Sequence, residues 1–268
     1  MKSLIIDCVT FFQEKRHFEL RYNILRDVVD KFIICESIYD HRGKRKKINF
    51  DKKKYLNDKN VIHLLIKKKF PISNIPWQNQ ALQREYIYDY LKKFNDDDYI
   101  MFSDPDEIPN PKILKKLNLN KKYGIFLQKI FSYKLNLYNS HESPWEGTRI
   151  CKKKFLKSID WLRHKVVRKN LKYPFWRIDK EKNIQIIKNG GWHFSYLLTT
   201  REIAKKFRSL AEISWDKDEY LNLRNIQKKI KKKVDLFERG HKYKKVKIDS
   251  SFPKYIRNNL SGLRKWII

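Results

Sequence analysis

Apolar runs and apolar stripes alternate through the first hundred residues. Residues 3–12 (SLIIDCVTFF) form a strand-like run. In HFELRYNILRDVV, residues 17–29, the apolar positions Phe18, Leu20, Ile24, Leu25, Val28 and Val29 follow a helical stripe. KFIICES (31–37) then predicts a buried strand ending in Glu36 and Ser37, and NVIHLLI (60–66) a third strand. NQALQREYIYDYLKKF (79–94) predicts a helix, and DYIMFSD (98–104) a fourth strand. This rhythm predicts an α/β fold with a mostly parallel central sheet flanked by helices.

The pattern changes after residue 117. YGIFLQKIFSYKLNLYN (123–139), RICKKKFL (149–156) and NIQIIKNGGWHFSYL (183–197) read as longer strands with no helices between them, so antiparallel additions are expected in the second half. TTREIAKKFRSLAEI (199–213) predicts a helix capped by Thr200, with Glu202 in its first turn. YLNLRNIQKKIKKKVDLFERG (220–240) predicts a basic amphipathic helix ending at Gly240.

Charge adds a second layer. The formal net charge is +32, which suits an anionic partner. Yet 46 of the 62 basic residues are Lys, spread in short runs along the whole chain, which suits a solvated surface equally well. Cys8, Cys35 and Cys151 are odd in number and not closely spaced, pointing to a reduced compartment. No stretch approaches the ~18 apolar residues of a membrane span, and MKSLIIDCVTFF lacks the cleavage site of a signal peptide. The expectation is a cytoplasmic protein, with peripheral contact to the anionic inner face of a membrane through the basic helix.

The candidate chemistry lies in SDPDEIP, residues 103–109, at the end of the fourth strand. Ligands of parallel sheets bind beyond such carboxyl ends. If the backbone stays extended, Asp104 and Asp106 point the same way and converge. Converged carboxylates repel unless a cation such as Mg²⁺ or Mn²⁺ sits between them, and that cation would bind a diphosphate. The alternative is a turn with solvated acids. On the preceding helix Gln80 and Arg84 share a face, from which Arg84 reaches either a diphosphate or an ordinary ion pair, while Gln83 faces elsewhere. In NGGWHFSYL, Gly190 and Gly191 admit a close ligand, Trp192 offers a surface for a sugar, and His193 is either a ligand of the same cation or a core histidine.

In their order, FELRYNILRDVVDKFIICES, HRGKRK, QREYI, SDPDEIP and GGWHFSYL resemble glycosyltransferase family 17, the family of β-1,4-mannosyl-glycoprotein 4-β-N-acetylglucosaminyltransferase. The resemblance implies a GT-A-like single domain over residues 1–240, with a nucleotide-sugar half (1–117), an acceptor half (118–240) and a C-terminal extension (241–268) packed on it. It implies a UDP-sugar donor, UDP-GlcNAc, a glycan or glycolipid acceptor, and inverting transfer. Asp104, Asp106, Glu107 and His193 would serve the metal, Asp104 also the ribose, and Glu36 and Arg84 the donor end of the sheet. Inversion needs a base, for which Glu142, Glu146, Glu212 and Asp216 are candidates, ordered Glu212, Glu146, Asp216. The rival reading is a basic nucleic-acid-binding protein or metal-dependent nuclease.

Overall fold

The strand-like runs of the first half pair as one parallel block. In the computed structural model, which describes residues 3–71, 76–209 and 211–268, β1 (Ile5–Phe11), β2 (Lys31–Ser37), β3 (Val61–Ile66) and β4 (Tyr99–Ser103) stand in the order β3-β2-β1-β4, all parallel. The crossovers run through α1 (Lys15–Leu25) and α2 (Pro76–Leu91). Successive side chains of a strand point to opposite faces. On β2, Phe32 and Ile34 pack with Phe18 and Leu25 of α1, whereas Ile33 and Cys35 pack with Ile87 and Leu91 of α2. A sheet covered on both faces needs strands that are apolar throughout, which is why these runs do not alternate.

Beyond β4 come β5 (Glu107–Pro109), α3 (Pro111–Leu114), β6 (Tyr123–Ser132), β7 (Leu137–Asn139) and β8 (Trp145–Lys152). They are followed by α4 (Ile159–Lys165), β9 (Ile184–Ser195), α5 (Thr200–Ser209), α6 (Asp218–Leu221), α7 (Leu223–Lys232), β10 (Lys244–Lys245) and α8 (Lys254–Asn258). β8 runs antiparallel to both β4 and β6, as expected, while β9 is parallel to β6 and antiparallel to β5. The expected α/β fold, with a mostly parallel first half and antiparallel additions, is the fold observed. Among the described residues no helix is long and apolar enough to cross a membrane.

Three local expectations are corrected. The run 123–139 is not one strand but breaks at Tyr133, whose φ is +66°. The helix expected to reach Gly240 stops at Lys232, where Lys233 takes a left-handed cap at φ +57°; Leu236 and Phe237 then turn back into the core beside Phe207 and Ile226. Thr199, not Thr200, caps α5. Its hydroxyl accepts from the amide of Glu202, whose carboxylate accepts from the Thr199 amide at 2.7 Å, a reciprocal capping box. Leu210, in the expected continuation of that helix, lies outside the described residues.

Two features tie the sheet to its carboxyl-end rim. Arg21 of α1 is fully buried, forks onto Asp7 at 2.5 and 2.6 Å, and donates to the Glu107 carbonyl and the Ser103 hydroxyl. It thereby fixes where β4 ends and β5 begins. Gly191 sits at φ +136°, where a Cβ would lie 2.1 Å from the Ile108 carbonyl oxygen. The missing side chain lets β9 press against β5. Gly191→Ala is expected to cost about 1–3 kcal/mol, read as a lowered midpoint of thermal unfolding; an unchanged midpoint would show that the strands can part at no cost.

Candidate active site

The acidic segment forms a turn whose acids are not left in water. The Glu107 amide donates to the Asp104 carbonyl at 3.0 Å, and Pro105 occupies the second position, which its fixed φ favours. Asp104 and Asp106 therefore face the same cleft through a turn, and not through the extended alternation expected of them. Asp106 is 6 % exposed and Glu107 fully buried. Asp104 stays partly open to the cleft.

Cationic side chains surround this turn. Arg163, from α4, donates to Asp104 at 2.7 Å and to the two oxygens of Glu107 at 2.7 and 2.8 Å, and Trp145 Nε1 donates to Glu107 at 2.6 Å. Glu107 thus has every oxygen engaged, and the Asp104 amide also donates to it. Arg84 is buried in α2, donates to Asp160 at 2.8 Å and stands 4.0 Å from Asp104. Burial works against an ionised Asp104, but Arg163 and Arg84 hold its carboxyl below the ordinary range.

The adjoining wall comes from β9 and α5. His193 pairs with Glu107 across the β5–β9 ladder, which brings its Nε2 to 3.4 Å from Asp106 Oδ1, while its Nδ1 is buried without a partner. Lys206 Nζ lies 3.6 Å from Asp106 and 3.4 Å from Glu14. Burial opposes charge on Asp106, His193 and Lys206. The attraction of Lys206 and His193 nevertheless holds Asp106 well below the usual carboxylate range, and Asp106 in turn lifts both His193 and Lys206 above theirs. These groups line a cleft of about 450 Å³ at the carboxyl ends of β1, β2 and β4. Tyr39, His41, Trp77, Gln80, Gln83 and Tyr196 line it as well.

The other sequence candidates divide by place. Of the proposed bases only Glu212 lines the cleft; hydrogen bonds from the Ser214 hydroxyl and amide hold its carboxyl below the ordinary range. Glu146 accepts from the Arg168 amide and pairs with Arg149, Glu142 pairs with Arg239, and Asp216 pairs with Arg42. Glu36 is fully buried and accepts from Lys46 and the amides of Asn49 and Phe50. It reaches the cleft only through Lys46, which lines it. Gly190, Gly191 and Trp192 are not in the cleft lining. The glycines serve strand contact, with a Cβ on Gly190 meeting Phe126 at 2.7 Å, and Trp192 donates from Nε1 to the Ser251 carbonyl. Consecutive residues of a strand face opposite ways, so Trp192 borders a separate groove of about 690 Å³ behind β9. Gln83, expected to face elsewhere, donates to the Cys35 carbonyl and orients His41 at 2.9 Å.

Arg163, Lys206 and Glu14 had no place in the sequence reading. Lys206 carried a legible signal, since it sits three residues from buried Ile203 and next to buried Phe207, on the apolar side of α5. Arg163 carried none: nothing within WLRHK separates it from a surface arginine.

Of the four expected metal ligands, Asp106 and His193 are the two that Arg163 does not engage. Asp106 Oδ1 and His193 Nε2, 3.4 Å apart on the cleft wall, are spaced as neighbouring ligands of one ion, whereas Arg163 already engages Asp104 and Glu107. Among the described residues no cluster of three or more His, Cys, Asp or Glu side chains could hold a metal. Two side chains leave most of an ion's coordination to other oxygen donors, as Mg²⁺ sites commonly do.

No curated protein matches the sequence. Among solved structures, S. aureus TarS 1–349 superposes with a TM-score of 0.41 at 12% identity, covering 76% of this chain and 63% of that one. A glycosyltransferase involved in glycosylation of the major capsid of PBCV-1 gives a TM-score of 0.32 at 9% identity, covering 69% and 82%. The inositol-1-phosphate CTP transferase of T. maritima gives 0.32 at 12% identity, covering 70% and 86%. The sequence itself is matched over residues 1–245 by the model of one family, a span that holds the acidic turn, Arg84, Arg163, His193 and Lys206 together. The chain belongs to glycosyltransferase family 17.

Proposed function

We propose that the cleft binds a UDP-sugar, with UDP-GlcNAc as the first candidate, and transfers the sugar with inversion to a glycan or lipid-linked acceptor. The observation that carries this reading is the convergence of Asp104, Asp106 and His193 on one cleft that Arg84, Arg163 and Lys206 also line. Family membership supports a nucleotide-sugar donor. The turn, Arg84 and His193 come from both the 1–117 and 118–240 stretches, so the donor site spans the two.

Transfer requires the anomeric carbon–oxygen bond to break as an acceptor hydroxyl attacks from the opposite side, with negative charge growing on the diphosphate. Lys206 and Arg84 are placed to meet that charge before it forms, without reorganisation. Arg163 fixes the turn, so Asp104 is held to orient the ribose. Mn²⁺ or Mg²⁺ at Asp106 and His193, when bound, supplies further neutralisation of the diphosphate. Glu212, ionised at neutral pH and on the cleft wall, takes the proton of the acceptor hydroxyl. Trp77 and Tyr39 offer aromatic faces to the acceptor.

Isothermal titration with a panel of nucleotide sugars, with and without Mn²⁺, tests the reading. Saturable heat with a UDP-sugar that weakens on chelation is expected. No heat with any of them, accompanied by salt-sensitive DNA binding, would favour the nuclease reading.

A further inference from the structure

Between α4 and β9 the chain exposes apolar side chains that a fold would ordinarily hide. Phe175 is 86 % exposed, Trp176 65 % and Ile178 94 %. They are presented by an ordered loop. The Arg177 amide donates to the Pro174 carbonyl and the Lys180 amide to the Arg177 carbonyl, at 3.1 Å each. Arg177 forks onto Asp179 at 2.7 and 2.8 Å. Lys182 ties the two arms by donating to the Arg177 carbonyl at 2.7 Å and to the Phe175 carbonyl at 3.4 Å. Phe175 and Trp176 meet edge to face at 5.3 Å, so they project together. Large apolar groups gathered at one exposed place mark an interaction surface.

The charge around them selects the partner. Residues 168–182 carry six basic side chains, Arg168, Lys169, Lys172, Arg177, Lys180 and Lys182, against two acids, Asp179 and Glu181. Lys121 and Lys122 stand at the foot of the loop, where the Lys122 amide donates to Asn183. An apolar tip carrying Phe175 and Trp176 inside a basic collar matches the layering of a bilayer with anionic headgroups, where aromatic rings sit at the headgroup level and Lys and Arg meet the phosphates. The basic helix α7 is less suited to that task, because Ile226 is fully buried and Ile230 packs on the same core cluster. Its apolar side is committed to the fold.

We propose that the loop 171–178 inserts Phe175, Trp176 and Ile178 into the headgroup region of an anionic membrane and so holds the protein on that surface. This stands whether or not the cleft takes a nucleotide sugar. The test is sedimentation with vesicles of phosphatidylglycerol and phosphatidylcholine, set beside pure phosphatidylcholine vesicles. The wild type is expected to bind the anionic vesicles, and F175S/W176S/I178S to bind at least about tenfold more weakly with an unchanged melting curve, since all three positions are exposed. Brominated lipid should quench wild-type tryptophan emission more than that of W176F. Equal binding by wild type and triple variant would overturn the proposal, as would no wild-type binding. So would a wild type that self-associates through these residues while ignoring vesicles.

Discussion

Asp106→Asn is expected to leave the protein folded and to lower the rate of sugar transfer, or of the slower hydrolysis of the UDP-sugar, by about 10²–10³-fold. The carboxylate is 6 % exposed and faces both His193 and Lys206, so the amide fits its space while deleting the negative charge that faces them. Binding of UDP that depends on Mn²⁺ should disappear with it. Release of UDP measured alongside a thermal melt separates the two effects. A variant that keeps both activity and Mn²⁺-dependent binding would remove Asp106 from the site.

Arg163→Met acts on the same turn from behind. Its guanidinium is the main countercharge to Glu107, which is fully buried, and it also holds Asp104. Removing one partner of a buried charge pair costs about 3–5 kcal/mol, because the other charge is left uncompensated. Urea unfolding should show a loss of this size, and transfer should fall as well, since Asp104 is no longer fixed. Arg163→Lys keeps the charge without the planar fork and should fall between the two. If Arg163→Met unfolds at the wild-type urea concentration, Glu107 has another source of compensation.

The chain's chemistry was legible where a local rule governs it. The apolar runs of β1 to β4 could be read because a sheet covered on both faces demands apolar side chains at consecutive positions, and SDPDEIP stood out because acids at the end of such a run have a chemical cost. His193 was legible as a candidate through its neighbours. What stayed hidden depends on pairing between distant segments. Arg163 meets Asp104 and Glu107 only because α4 returns beneath β4. Gly191 looked like a ligand contact because the register that sets it against Ile108 is a property of the β5–β9 ladder. Trp192 looked like a sugar platform until strand alternation placed it on the far side from His193. Arg21 lay on the apolar side of α1, between Phe18 and Leu25, a position where an arginine needs a buried partner. That partner, Asp7, comes from β1.

On the proposed function, the turn at Asp104 to Glu107 and His193 together receive the diphosphate of a nucleotide sugar. A crystal structure with UDP and Mn²⁺ tests it most directly. The diphosphate is expected in the cleft between Arg84 and Lys206, with the ion on Asp106 and His193. Nucleotide bound instead in the groove behind β9, beside Trp192 and Phe252, would contradict it.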